Sequence, residues 1–454
     1  MNRLPNLVVL HILCLSSHAM QASSDPAPEI PFTRHVLPNG LTVILHPDHR
    51  LPAVCVNLWY FVGSKDEPPG RSGFAHLFEH LMFMGTEKVP YPSFDTIMEA
   101  AGGSNNASTS EDRTNYFASG HRGLLETFIY LEADRMASLG PSMTQEKLDT
   151  QRDVVRNERR QSYENRPYGK AYLEIPPTIY PPGHPYHNPV IGSHADLERA
   201  TLEDVKEFFR RFYYPGNASL VIAGDFDPAE ARRLVDKHFG PLDASPPPAS
   251  GNDGRAAFPP APRIEGSPRV TLEDNVELPL SILVWHSPAV YADGDADMDI
   301  LASLLGGGKS SRLYRSLVHD RQLAQEVNVS QSSAYLVSEF HVRVHARPGV
   351  SQEAIEAEVD REIGRIQAEG PSEHEVQRAK NRIETAFWRG MEGLLERADR
   401  LNGYNFHLGD PGAIARDRAR YDAVTRETVK ARANAVLKKD ARLVLRVVPK
   451  RLLE

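Results

Sequence analysis

Phe74-Ala75-His76-Leu77-Phe78-Glu79-His80-Leu81-Met82 sets two histidines and a glutamate into a run that is otherwise apolar. Wound as an α-helix, the run puts His76 and His80 one turn apart on the same face, with Glu79 beside them. The pattern H-x-x-E-H is the inverted form of the H-E-x-x-H metal helix. Two neutral imidazoles on one helix can hold Zn²⁺, and a carboxylate that is not a ligand can take a proton from a water on the metal. Ser72 stands where it can cap such a helix and Gly85 where it can end it, while Phe74, Leu77, Phe78, Leu81 and Met82 wrap it in core-forming side chains. The competing reading is two satisfied core histidines with a surface glutamate, so the rest of the chain has to decide.

A zinc site needs a further ligand. Neither cysteine, Cys14 or Cys55, stands in a ligand spacing to His76, which leaves histidine and carboxylate as candidates. A helix starting near Thr144 has an inner stripe Leu148, Gln151, Val155, Glu158, Ser162 in three- and four-residue steps. Glu158 is thus an acid on the inward face, where a charged and unpartnered carboxylate would cost several kcal/mol (~). It is paired, hydrogen-bonded or metal-bound. A salt bridge to Arg156 or Arg159 would also satisfy it, and Glu146, Glu164 and Glu126 compete for the ligand role.

Outward from these helices the chain reads as two halves. Residues 33–46 form strand, turn, strand around Pro38-Asn39-Gly40, and 54–62 form a further strand leading into the His76 helix. Ser93 caps a second helix that ends at Gly102-Gly103. Asn105-Asn106-Ala107-Ser108-Thr109-Ser110 is small, polar and β-permissive; it suits an edge strand open to a bound peptide, or a solvated loop. Asn106-Ala107-Ser108 also matches the N-glycosylation sequon. A helix over 121–138, a helix-then-strand unit over 201–226 capped by Thr201, and a helix over 228–239 complete the half. Residues 242–262 turn to Pro, Ala, Ser and Gly and read as a linker. Residues 425–448 then repeat the 201–223 unit, and Ser281-Ile282-Leu283-Val284-Trp285 repeats the 54–61 strand, with no second H-x-x-E-H. The organisation expected is a leader over 1–22, a metal-bearing domain over 31–242, a linker over 243–263 and a related domain without the motif over 264–454.

The 454 residues are too many for one core, and 41% hydrophobic with 25% charged residues is ordinary globular material. A net charge of −8 with no basic cluster speaks against a nucleic-acid partner. The N-terminus, with Arg3, an apolar run over 7–15 and small residues at Ser16, Ser17, Ala19 and Ala22, is laid out as a secretory signal peptide, which points to the bacterial periplasm. The run is short for a membrane span, no later stretch could span a bilayer, and one arginine is too few for a mitochondrial presequence. Gly306-Gly307-Gly308-Lys309-Ser310 looks like the end of a phosphate loop, but position 303 is Ser where that loop requires Gly. Those glycines are instead expected to let a loop pack closely between the domains.

The chain resembles the pitrilysin/insulinase-type zinc peptidases, specifically the smaller bacterial members related to mitochondrial processing peptidase. The resemblance rests on Leu37-Pro38-Asn39-Gly40-Leu41, on Gly73-Phe74-Ala75 with the His76 motif, and on Gly102-Gly103 with Asn106-Ala107. It continues in Arg152-Asp153-Val154-Val155 with Glu158, Tyr214-Pro215-Gly216-Asn217 with Gly224-Asp225, and Leu305-Gly306-Gly307-Gly308 with Ser310-Ser311-Arg312-Leu313. It covers about residues 33–448. It implies an α+β fold of two similar α/β sandwich domains, each a largely antiparallel sheet packed with helices, enclosing a chamber. By the same resemblance His76, His80 and Glu158 bind one Zn²⁺, Glu79 is the general base, and the strand at Asn106 and Ala107 holds a peptide or unfolded protein substrate.

Three positions depart from the family pattern. Gln151 stands where members carry a further glutamate, and Val318 and Gln325 stand where active members place an Arg and a Tyr that hold the substrate carbonyl and the oxyanion. The resemblance therefore implies the zinc-bearing member of a pair, with a related second chain supplying Arg and Tyr in a heterodimer, or else a homodimer. A non-catalytic assembly subunit of the same superfamily is the alternative.

Overall fold

The structure, a computed structural model, describes residues 29–244, 258 and 263–450. The expected leader and most of the expected linker lie outside the described residues. In the first half the strands are β1 (Thr33–Val36), β2 (Thr42–Pro47), β3 (Ala53–Tyr60), β4 (Ser104–Thr109), β5 (Thr114–His121) and β6 (Ala218–Gly224). Its helices are α1 (Phe74–Leu81), α2 (Ser93–Ala100), α3 (Leu125–Ser138), α4 (Gln145–Arg159), α5 (Gly169–Ile179), α6 (His194–Arg199), α7 (Leu202–Phe212) and α8 (Pro228–His238). The second half has β7 (Arg269–Asp274), β8 (Leu280–Ser287), β9 (Ala324–Ser332), β10 (Ser338–Ala346) and β11 (Leu443–Pro449). With them run α9 (Asp295–Gly306), α10 (Gln352–Glu369), α11 (Glu373–Arg389), α12 (Leu394–Leu408), α13 (Ile414–Asp422) and α14 (Arg426–Val436).

The two sheets repeat one plan. The first has the order β1-β2-β6-β3-β5-β4 and the second β7-β11-β8-β10-β9, so the second is the first without its outermost strand. In each, one pair is parallel, β2 with β6 and β7 with β11, and the rest are antiparallel. The fold is α+β, as the resemblance implied, and β4 is an edge strand paired only with β5.

Both sheets are covered on both faces, because alternate residues of a strand point to opposite sides. Val43, Leu45, Val54, Val56, Leu58, Leu220 and Ile222 meet α1, α3 and α7 through Leu77, Phe78, Phe128, Ile129 and Phe208. Their neighbours Ile44, Cys55, Val221 and Ala223 meet Ala398, Leu401 and Tyr404 of α12, a helix from the other half. The exchange is reciprocal. Leu283, Trp285, Phe340 and Val342 pack on α9 and α10, while Ile282, Val284, Leu443 and Leu445 receive Ala171, Ile175 and Ile179 of α5 from the first half. Polar links hold the exchanged helices in register: Asn402 Nδ2 donates to Asn57 O at 3.0 Å, Trp59 Nε1 to Asp399 Oδ1 at 3.0 Å, and Tyr168 OH to Leu278 O at 3.0 Å. Among the described residues no helix is long and apolar enough to cross a membrane.

Some local expectations need correction. The helix ending near Gly102 begins at Ser93 itself, with Pro92 in the N-cap position. The Gly306-Gly307-Gly308 turn packs inside the second half: a side chain on Gly306 would strike Val329 of β9, and one on Gly308 would strike Arg382 of α11.

α9 is the positional counterpart of α1. Both follow the central strand and both start after a glycine at φ +86°, Gly73 and Gly294. Counting from those glycines, Asp297, Ile300 and Leu301 occupy the places of His76, Glu79 and His80. Ile300 and Leu301 are fully buried, so the second half has filled with core what the first half keeps as donors.

Candidate metal centre

α1 is held at its start by neighbours remote in sequence. Ser72 does not cap it; Ser72 Oγ donates to Asp196 Oδ2 at 2.5 Å and accepts from Ser193 N at 3.1 Å, tying the helix entry to α6. The cap is Glu67, whose carboxylate accepts from Gly73 N at 3.1 Å and Ala75 N at 2.9 Å. Gly73 also lies back to back with Gly192: a Cβ on Gly73 would come 2.8 Å from Gly192 Cα, and φ is positive at both. The helix runs only to Leu81, and Gly85 belongs to the tight turn that follows, bridged to Pro90. Glu67→Ala leaves two amides unpaired and is expected to destabilise the fold by about 1–3 kcal/mol, read from denaturant unfolding.

The histidines face α4. His80 Nε2 lies 3.2 Å and His76 Nε2 3.7 Å from Glu158 Oε2, and the two rings stand edge to face with centroids 4.8 Å apart. Three donors sharing a tetrahedral Zn²⁺ at about 2.0–2.2 Å would be separated by roughly 3.4 Å. Among the described residues this is the one group of three His, Cys, Asp or Glu donors so close together. Burial first, then the neighbouring His80, pushes His76 down to about 4. It is therefore neutral at pH 7, the form that binds a metal. The Glu158 carboxyl is held below its usual range, chiefly by the hydrogen bond with His80. His76 Nδ1 is buried with no hydrogen-bond partner among the described residues. The donor set fits a zinc ion.

The rival acids are engaged elsewhere. Glu164 pairs with Arg159 at 3.0 Å and His194 at 2.9 Å, Glu126 pairs with Lys237 and His238 on the surface, and Glu146 is exposed in the first turn of α4. The arginines named as salt-bridge candidates for Glu158 are taken as well, Arg156 by Glu198 and Arg159 by Glu164. Glu158 is less buried than its stripe implied, at 39% exposure of the side chain, because it borders a cavity and not the core. That cavity, about 400 Å³, is lined by His76, Glu79, Glu158, Tyr163 and residues 107–111.

Glu79 lines the same cavity. Thr109 of β4 donates its hydroxyl to Glu79 Oε2 at 2.5 Å. Burial raises the Glu79 carboxyl above its usual range, with the Thr109 bond opposing. Sequence reading overlooked Thr109, although the two-residue strand period places it on the face of Ala107. Tyr163 was also overlooked; it rides on a widened π-type turn over Arg160–Glu164, and nothing in the helical stripe announces that turn. Ala107 lines the cavity, whereas Asn106 is exposed on β4 and its Oδ1 accepts from Ala107 N at 2.8 Å.

The departing positions lie apart from this cavity. Gln151 Nε2 approaches Met84 Sδ at 2.8 Å, Val318 packs against the second core, and Gln325 is exposed at the start of β9.

Two family models match the chain: the insulinase family, peptidase family M16, over residues 42–174, and the peptidase M16 inactive domain over residues 199–383. Zinc protease PqqE of Helicobacter pylori is 34% identical over 328 residues, 71% of this chain and 72% of that protein. The crystal structure of a protease from Helicobacter pylori matches with a TM-score of 0.84 and 28% identity, covering 93% of this chain and all of that one. The first half of the periplasmic protease PqqL from Escherichia coli shares the fold, with a TM-score of 0.74 and 19% identity over 93% of this chain and 92% of that one. With its metal-type helix in the first half and the inactive-domain match in the second, the chain belongs to peptidase family M16, the insulinase family.

Proposed function

We propose that the chain is a zinc-dependent endopeptidase subunit that cuts peptides or unfolded segments. The observation that supports this most is the close approach of the His76, His80 and Glu158 donors beside a cavity lined by His76, Glu158, Glu79 and residues 107–109 of the edge strand β4. Zinc, when bound, supplies Lewis-acid polarisation of the scissile carbonyl and acidifies a water. A peptide adds to the β4 edge through main-chain hydrogen bonds near Asn106 and Ala107. Glu79, held by Thr109, takes the proton of the attacking water and returns it to the leaving amine. Secretion to the periplasm is part of the proposal, supported by the leader-like first 22 residues and by the periplasmic location named for PqqL.

A non-catalytic assembly role is favoured by Val318, Gln325 and Gln151, and metal content together with peptidase activity, measured with and without a partner chain, separates the two readings. Purified protein is expected to carry about one Zn²⁺, lost in His76→Ala or His80→Ala. Glu158→Gln is expected to weaken binding beyond the ~10–100-fold typical of an outer-shell change, while Glu164→Gln and Glu146→Gln leave it nearly unchanged. Full occupancy in either histidine variant would overturn the ligand set, and loss in Glu146→Gln would mean the α4 register is wrong.

A further inference from the structure

The cavity at the histidines has a neighbour between the halves, about 260 Å³, with Trp59, Arg113, Tyr180 and Tyr186 on one side and Ser332 and Glu339 on the other. Ser110 and Glu111 line both cavities. Three carboxylates border the second cavity, and two are satisfied. Asp112 accepts from Tyr186 OH at 2.5 Å and Tyr335 N at 2.8 Å; Glu339 accepts from Tyr180 OH at 3.0 Å and lies 2.8 Å from His341 Nε2.

Glu111 is the exception. Among the described residues it has no ion pair, and its carboxylate has no hydrogen bond beyond its own backbone amide. Burial, with Asp112 and Glu339 adding repulsion, pushes it up to about 7. Arg113, the near cation, is committed to Ser108 O at 2.8 Å and Asn115 Oδ1 at 3.1 Å, and lies over the Trp59 ring at 5.1 Å. The backbone at Glu111 is fixed, since Lys65 N donates to Glu111 O at 3.0 Å and Gly63 presses so close that a Cβ there would stand 2.4 Å from that oxygen. The half-buried Glu111 side chain, on a fixed backbone, thus presents an unpaired carboxylate to both cavities, open to a cation of a ligand. It follows Thr109 by two residues, just past the end of the edge strand, where a side chain of a peptide lying on β4 would reach it.

We propose that Glu111 is a specificity-determining residue that receives a basic side chain, lysine or arginine, of a peptide bound along β4 and reaching past Ser110 into the second cavity. An acidic side chain would meet three carboxylates there, and an apolar one would leave Glu111 unpaired. The inference rests on the peptidase reading of the cleft.

The test is binding without turnover, on the full chain carrying Glu79→Gln and loaded with zinc. The probes are N-acetylated, C-amidated fluorescent peptides in which one lysine or one norleucine is moved through an otherwise neutral sequence, so the only cation is the side chain. At one position lysine is expected to bind at least tenfold more tightly than norleucine. Adding Glu111→Gln should bring that ratio to about one and leave the norleucine peptide unchanged; Glu111→Lys should turn the preference towards glutamate. Tight binding of neutral peptides with no lysine preference, or a preference that survives Glu111→Gln, overturns the role of Glu111 alone. Failure of every peptide to bind overturns the peptidase reading of the cleft and this inference with it.

Discussion

Glu79→Gln is expected to lower peptide turnover by ~10²–10⁴-fold, the usual range for removing a positioned general base, while zinc stoichiometry stays near one per chain. Glutamine keeps the size of the side chain and can still accept from the Thr109 hydroxyl, so α1 and the two histidines should not move. What is lost is the ability to hold a proton and release it. The measurement is paired: metal content by elemental analysis and kcat on a quenched-fluorescence peptide, on one preparation. Loss of zinc in this variant would make Glu79 a ligand and reverse the assignment. Thr109→Val tests the neighbour, since it removes the donor and leaves the base; a smaller loss in kcat with full zinc is the expected result.

The parts of this arrangement legible in the sequence are those with local period or fixed spacing. The helical period put His76 and His80 on one face, the stripe from Leu148 to Val155 pointed Glu158 inward, and the repeat of the 201–223 pattern at 425–448 foretold two sheets of one plan. Contacts between distant segments were not legible. Glu67 replaces Ser72 as the cap because the loop before α1 folds back over it, and Ser72 is drawn to Asp196 instead. The exchange of α5 and α12 between the halves leaves no trace in either helix, whose buried faces look like any other core face. Thr109, Tyr163 and Glu111 reach the cavity through strand pairing, a widened turn and a loop pinned by Gly63, and only the folded chain brings them together.

A second, related chain bearing Arg and Tyr at the positions of Val318 and Gln325 is expected to raise kcat by orders of magnitude when mixed with this one. Peptide hydrolysis puts negative charge on the carbonyl oxygen as water adds, and removing one donor to such an oxyanion costs on the order of 10²–10³ in rate. At those two positions this chain offers nothing equivalent: Val318 is apolar and packed against its own core, and Gln325 is a surface residue at the start of β9. A second copy of this chain would bring the same two side chains and the same deficit, so a homodimer should not restore the rate. The partner's second half would have to face the cavity bounded by His76, Glu79 and Glu158. Replacing the partner's Arg or Tyr should then remove the gain without changing the zinc content of this chain, and Glu79→Gln here should silence the mixture while the same change in the partner does not. A zinc-loaded chain that cleaves peptides as fast alone as in the mixture would show that Val318 and Gln325 cost nothing and that the oxyanion is held entirely from the first half.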